Sequence, residues 1–527
     1  MGAEEEHDKT EVGNSHSVRA RLHRWARGFH VVGLDSRSIG AFRIAVGLNV
    51  IYNILQYRLD SIAPFYSNHG IMSQEFQDTA SVRFFSIFAW LPNDASMTAF
   101  MVLTLILAVS YTIGYRTRAS SILLFLAFTQ IIHRNLFVTH AVEMMIHSAL
   151  FFSIFLPLDR AFTKFGPKGR DTVTEVRSLA AWALLLQIFL IYTMAILTKT
   201  GDSWRNGTIV LELTGDLMHA SLLAPYLAEM PTLCTVLSYS SFLLEGGIAL
   251  LIICPWFNAQ TRLVVAFVIV VFHTSLALVL DVGPFHLITD AFAVVLLPGL
   301  FWERVLGHRH DPAHRREGNV EELPEARPMH SNRQLVGRRV AQAIVVSMMI
   351  LICQKSLEQL KKNSYLTTAI ESVAILDWIA SRESPRLGLG VFEQRWLLFA
   401  PDANEEMGCF VLVGRTAQGE FIDMLTNQPF SRTVDPKTHE VVYEPALRNH
   451  FTGSRFVFAW YIRQIQRRLP TEVFANWTRY EVGLWHSRNP GKRLAEAGLY
   501  YFSNMTSVVD GQIVREQDWW TLYREKL

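Results

Sequence analysis

The chain has 527 residues, of which 50% are apolar and only 18% charged, with 34 phenylalanines and a mean hydropathy of +0.19. This balance excludes an ordinary soluble globule and indicates a polytopic membrane protein. The net charge of +2, from 49 basic and 47 acidic residues, says nothing by itself about nucleic acid, and no nucleic-acid partner is expected of a membrane protein of this kind; the placement of the basic residues carries information about orientation.

Residues 1–35 open with MGAEEEHDKT and have no apolar core before about Ile39, so they are expected to be a cytoplasmic segment without a cleavable signal peptide. Apolar runs then occur near 38–57, 97–115, 119–136, 140–157, 179–198, 232–254, 262–281, 284–301 and 338–357. At about 20 residues per crossing, they predict an α-helical polytopic membrane protein with about nine transmembrane helices. The second and third runs, separated only by GYRTR, read as a tight helical hairpin. The transmembrane domain is thus assigned to 36–357, with a polar, proline-bearing linker near 303–337. In that linker, His308, His310 and His314 read as part of an exposed basic loop rather than a metal site.

From Lys361 to the end, residues 361–527, the composition becomes soluble and predicts a C-terminal extramembrane α+β domain of a size that holds its own core. GCFVLVGRTAQGEFIDML reads as a hairpin about an AQG turn, and SRFVFAWYIRQIQRRL as an amphipathic helix. RYEVGLWHS and GLYYFSNM read as further strands. Cys234, Cys254, Cys353 and Cys409 are scattered and form neither a disulfide framework nor a metal-ligand pattern.

Basic residues concentrate in RARLHRWAR, in YRTR, in 160–177 and in 304–339, while the alternate loops are nearly free of them; 58–96 carries only Arg58 and Arg83. This asymmetry predicts a cytoplasmic N-terminus and, after nine crossings, an extracytoplasmic C-terminal domain. Lys199 then opens an outer-side loop. The sequons at Asn206, Asn476 and Asn504 fall on the same side.

Ionisable groups inside apolar runs are functional candidates, because each carries a desolvation cost. Here they include Arg43 in the first run, His140, Glu143 and His147 in the fourth, Gln187 in the fifth, Glu245 in the sixth, His273 in the seventh, and Asp281, His286 and Asp290 around the eighth. In HAVEMMIH, His140, Glu143 and His147 share one helical face. They suit a metal, a proton relay, or a structural network with Arg43 and Lys199; no metal is expected. Glu245, beside two glycines in LLEGG, reads equally as a partner of Arg43 or as a reactive acid. His273 reads as a lone core histidine. Lys199, at the end of AILTK, is either a lysine reaching for the interface or an amine whose burial eases loss of its proton and makes it a general base.

AILTKTGDSW at 195–204, preceded by QIFLIY at 187–192, resembles the corresponding stretch of the vitamin K-dependent γ-glutamyl carboxylases and, more broadly, of the HTTM (horizontally transferred transmembrane) domain family homologous to them. AFRIAVGLNVIYNILQYR at 41–58, IGYRTRASSILLF at 113–125, LLEGG at 243–247 and VVFH at 270–273 extend the resemblance, in order, from about residue 35 to 305. It implies an enzyme that couples oxidation of vitamin K hydroquinone, or another prenylquinol, to carboxylation of glutamate in a protein or peptide, with dioxygen and carbon dioxide as co-substrates. Lys199 falls on the family's base. His140 and Glu143 lie near its Asn-His pair, which this chain lacks, and Arg43, Gln187, Trp204, Glu245, His273 and His147 would line the substrate or quinone chamber. The partners implied are the lipid bilayer and an extracytoplasmic protein or peptide substrate, in a bacterial inner membrane. Two other readings stand beside it. One is a non-catalytic maturation, export or immunity factor that binds a secreted peptide. The other is a transporter, disfavoured by the lack of visible repeats or broken helices.

Overall fold

The computed structural model describes residues 33–67, 70–71, 86–91, 93–166, 175–216, 218–254, 258–306, 332–382, 399–402, 408–430, 433–434, 441–442, 454–465, 469–509 and 512–527. The N-terminal basic segment and the linker histidines His308, His310 and His314 lie outside these residues.

Helix forms in every apolar run. The helices are α1 (Ser36–Asn53), α2 (Asp94–Ile113), α3 (Thr117–Arg134), α4 (Ala141–Ser153), α5 (Leu179–Leu197), α6 (Pro231–Ile252), α7 (Asn258–Val279), the pair α8 (Phe285–Val295) and α9 (Gly299–Leu306), and α10 (Asn332–Asn363). Among the described residues, six are long and apolar enough to cross a membrane, or seven if α8 and α9 together make one span. Two runs fall short. Arg118, Gln130, His133 and Arg134 dilute α3, and α4 has only 13 residues. The run at 284–301 is not a straight span, because α8 and α9 meet at 97°. Pro298 stands at that break, where it cannot donate to a continuing helix. A broken helix is therefore present where the sequence suggested none.

The hairpin expected at GYRTR forms between α2 and α3. Asn93 and Ser96 cap the start of α2 reciprocally, and Gly114 ends it at φ 81°. No other residue fits there. The conformation is left-handed, and a Cβ would stand 2.6 Å from Thr163 Oγ1 and 2.8 Å from Arg43 Nη1.

Among the described C-terminal residues the larger antiparallel sheet has the order β4-β3-β7-β8, from β3 (Gly408–Thr416), β4 (Phe421–Asp423), β7 (Leu494–Val509) and β8 (Gln512–Lys526). Two-residue pairs elsewhere are β1 (Leu34–Asp35) with β2 (Glu175–Val176), and β5 (Thr433–Val434) with β6 (Val441–Val442). The AQG hairpin and the strand at GLYYFSNM form as expected. RYEVGLWHS does not form a strand. It belongs to α12 (Thr471–Arg488), where Val473, Phe474, Trp477, Val482 and Trp485 recur at helical spacing and are buried. That period outweighs the β propensity of its aromatic residues. Helix α11 (Ser454–Ile465) is the predicted amphipathic helix. Phe458 links the two layers, packing its ring 5.0 Å from Trp477 in α12 and 5.0 Å from Phe65 beyond α1.

Candidate functional site

Helix α5 runs nearly uninterrupted apolar to Leu197, with Thr198 as its C-cap, and Lys199 follows where the helix dipole favours a cation. Lys199 does not reach for solvent. It is 3% exposed, and its Nζ forms an ion pair with Glu245 of α6 while lying 4.1 Å from the centre of the Trp204 ring. Glycine at 246 permits this approach, since a Cβ there would stand 2.6 Å from Ile196 Cδ1 of α5. Position 247 faces open space instead.

Segments from later in the chain close the loop over Lys199. Tyr365, just after α10, donates from its hydroxyl to the Lys199 carbonyl at 2.8 Å. The Gly201 amide donates to the Pro401 carbonyl at 2.8 Å, and the Asp402 carboxylate accepts from the Asp202 and Ser203 amides at 2.8 and 2.9 Å. Trp204 Nε1 donates to the Phe399 carbonyl at 2.7 Å. A cation, its counterion and an aromatic face are thus held by four stretches of chain.

Next to this pair, Tyr192 of α5 and His273 of α7 share a hydrogen bond of 2.9 Å. His273 lies within electrostatic reach of Lys199 and His286, and Tyr192 within reach of Glu245 and Asp290. His273 is therefore part of a polar group rather than a lone core histidine. Three buried atoms of this group, His273 Nδ1, His286 Nδ1 and Asp290 Oδ1, have no hydrogen-bond partner within the protein. Buried polar atoms are ordinarily satisfied, so the region contains donor and acceptor capacity that packing does not use. Gln187, about one and a half turns before Tyr192 along α5, is fully buried.

The HAVEMMIH residues do not form one site. Glu143 Oε1 accepts from Arg58 Nη2 at 2.6 Å and Asn53 Nδ2 at 2.7 Å, and its Oε2 accepts from the His140 amide at 2.7 Å. Arg58 also donates to the Tyr66 hydroxyl and the Val138 carbonyl. The partner of Glu143 is therefore Arg58, which the hydropathy pattern had placed in a loop, and not Arg43 or Lys199. His147 turns to Thr129, 2.6 Å from its hydroxyl, and stacks on Phe125. Arg43 is far from Glu245 in its contacts. Its guanidinium donates to the carbonyls of Thr112, Leu158, Ala161 and Phe162, at the opposite ends of the helices. Among the described residues, no group of three or more His, Cys, Asp or Glu is arranged to hold a metal ion.

A second buried ionic cluster escaped the sequence reading. Asp216 accepts from Arg463 Nη1 of α11 at 2.9 Å through both oxygens and stands 2.7 Å from His219 Nδ1, with all three side chains almost fully buried. Burial alone would raise the Asp216 carboxyl, but Arg463 and His219 hold it well below the usual carboxylate range. Cys409, beside them, is pushed up to about 12, first by burial and then by the Asp216 charge. The signal available was the i,i+3 pair in GDLMH between apolar neighbours. Its partner lies 247 residues later. The His219 ring meets Phe399 edge-on at 5.8 Å, and the same residue's carbonyl holds Trp204. His140 is within electrostatic reach of His219. Phe399 therefore touches both Trp204, whose ring lies against Lys199, and His219 of the Asp216 cluster.

Residues 33–298 match the HTTM domain family. No curated protein and no solved structure matches the chain.

Proposed function

The chain belongs to the HTTM domain family, and from that premise we propose that it is a quinol-linked modifying enzyme of the membrane, similar to the vitamin K-dependent carboxylases. The observation that carries the reading is the buried Lys199–Glu245 pair against Trp204, next to unpartnered His273, His286 and Asp290 atoms. A prenylquinol fits such a site. Its hydroxyls suit the unused donors and acceptors, its ring suits the Trp204 and Tyr192 faces, and its apolar tail suits entry from the bilayer. A bound hydroquinone, with dioxygen, would supply the oxidation that drives carboxylation of a glutamate side chain.

The protein's own part is to hold and move protons away from water. Lys199 and Glu245 act as one unit. In a low-dielectric setting, passing the proton from Nζ to the carboxylate yields a neutral amine and a neutral acid without separating charge. The amine is then the base, and Glu245 keeps its proton at hand. Tyr192 and His273 would orient a hydroxyl beside that amine, and the 399–402 segment with Tyr365 would exclude water. Glu143 is assigned a structural role with Arg58. In this reading α3, α4 and the α8–α9 pair complete nine crossings of a bacterial inner membrane, with the C-terminal sheet extracytoplasmic and facing a protein or peptide substrate.

The test is quinone epoxide formation by the purified chain in lipid, given vitamin K hydroquinone, dioxygen and bicarbonate. Epoxide from wild type that disappears in Lys199→Ala supports the reading. A well-folded wild type that forms none overturns it in favour of a peptide-binding maturation factor, which the structural use of Glu143 by Arg58 also favours.

A further inference from the structure

At the end of the helix bundle opposite Lys199, a cavity of about 460 Å³ opens between the start of α3, the end of α4 and the start of α5. Three arginines from three separate elements line it: Arg118, Arg160 and Arg177. Its remaining wall is largely apolar, from Phe155, Leu156 and Val176. The volume lies within the roughly 300–1,000 Å³ of small-molecule sites.

The arginines stand on backbone that is fixed independently of any ligand. Arg118 follows the Gly114 turn in the first turn of α3. The loop bearing Arg160 is tied down by Arg43, a fully buried guanidinium that donates to the carbonyls of Leu158, Ala161 and Phe162 on either side of it. Arg177 follows β2, which pairs with β1, and precedes Ser178, whose hydroxyl caps α5 at Ala181. Arg43 thus acts as a clamp that presents Arg160, a role its membrane position alone did not suggest. One carboxylate also lines the cavity. Glu175 pairs with Arg177 at 2.6 Å, both about half exposed, so the pair contributes little and is readily exchanged. Among the described lining residues, arginines outnumber carboxylates three to one.

We infer that this cavity is a binding site for the phosphate headgroup of an anionic phospholipid. The location selects a lipid over a soluble ester. Leu179, one residue beyond Ser178, begins one of the most apolar spans, and Ile113 ends another, so the cavity lies at the level where hydrocarbon gives way to headgroups. Guanidinium forks match phosphate oxygens in geometry, the apolar wall suits the glycerol and first methylenes, and basic pockets between helix ends are where anionic headgroups bind.

The test uses the full chain in detergent, with phosphatidylglycerol, phosphatidylcholine and inorganic phosphate as probes, and counts retained lipid by native mass spectrometry. Wild type should retain phosphatidylglycerol over phosphatidylcholine, and the Arg118→Gln/Arg160→Gln double variant should bind it roughly tenfold or more weakly. Glu175→Gln removes the competing carboxylate and should tighten binding, an opposite-signed result that misfolding cannot mimic. Arg304→Gln, a cation outside the cavity, should change nothing. Equal retention by wild type and the double variant, with no gain in Glu175→Gln, overturns the proposal. Millimolar inorganic phosphate that displaces the lipid completely would overturn the lipid assignment in favour of a soluble phosphate ester. No readout depends on quinol chemistry, so this inference and the proposed function fail separately.

Discussion

Replacing Arg463 with methionine should undock α11 from the membrane-domain loop at 216–220. Asp216 and Arg463 are both fully buried, and removing one member of such a pair leaves an uncompensated charge that costs about 3–5 kcal/mol. At about 1.4 kcal/mol per decade, local opening should become roughly two to three and a half decades more frequent. Hydrogen exchange resolved to peptides covering 216–223 and 454–465 reads this directly, with peptides of α2 as an unaffected reference. The pH dependence should reverse as well. In the wild type the folded Asp216 carboxyl is held below its ordinary value of 3.8, so the contribution of the pair is fully present above that value and is lost as pH falls below it. In Arg463→Met the largest single remaining influence is burial, which raises the carboxyl against the lowering by His219, so the variant should lose protection as pH rises through the carboxylate range. Adding Asp216→Asn should recover most of the loss, because an apolar or neutral pair avoids the buried charge. Wild-type exchange in Arg463→Met, or losses in the double variant that simply add, would refute the argument.

Three further outcomes follow from the same geometry. Arg58→Met should destabilise by about 3–5 kcal/mol and Glu143→Gln in the same direction, with partial recovery in the double variant in thermal melts; Glu143→Gln that keeps its melting temperature while losing activity would return Glu143 to the catalytic set. Gly247→Ala should be neutral or stabilise by up to about 1 kcal/mol, since helical glycine is unfavourable, whereas Gly246→Ala must turn aside the tip of the Ile196 side chain and should gain less in thermal melts; a larger gain at 246 than at 247 would show that α5 and α6 do not pack as described. Cys409, with its thiol pushed up to about 12, should hold a thiolate fraction near ~10⁻⁴ at pH 8 and resist maleimide until the chain is denatured, as read by labelling with and without denaturant.

The helical framework was legible because an apolar run of some twenty residues admits few other structures, and because GYRTR carries its own glycine punctuation. Lys199 was legible as an anomaly, a cation at the end of one of the most apolar helices. Its partner was not. Glu245 read as a partner of Arg43 or as a reactive acid, and only the packing of α5 on α6 at Gly246 brings it to Lys199 instead. The same limit explains Glu143 and Asp216. Their partners are 85 and 247 residues away, and local spacing carries no information about which distant helix faces which. Arg43 failed for a different reason. Its acceptors are backbone carbonyls exposed where α2 ends and where the chain turns after α4, and these have no residue-type signature. The strand expected at RYEVGLWHS was a misjudged period, since its apolar positions continue a helical spacing set by Val473, Phe474 and Trp477.

The placement of the missed residues bears on how the candidate site works. The segment 399–402 supplies the Phe399 carbonyl to Trp204, the Pro401 carbonyl to Gly201 and the Asp402 carboxylate to the amides of Asp202 and Ser203, while the Phe399 ring meets His219. The aromatic face over Lys199 is therefore positioned by chain that lies beyond all of the predicted membrane spans and beyond residues 33–298 of the family match. An HTTM region severed before residue 399 keeps Lys199 and Glu245 but loses the contacts that hold Trp204 above them. The buried pair would then face water, and a lysine and a carboxylate in water are an ordinary surface ion pair of little consequence. The C-terminal layer is in this sense part of the surroundings that keep the Lys199–Glu245 pair buried.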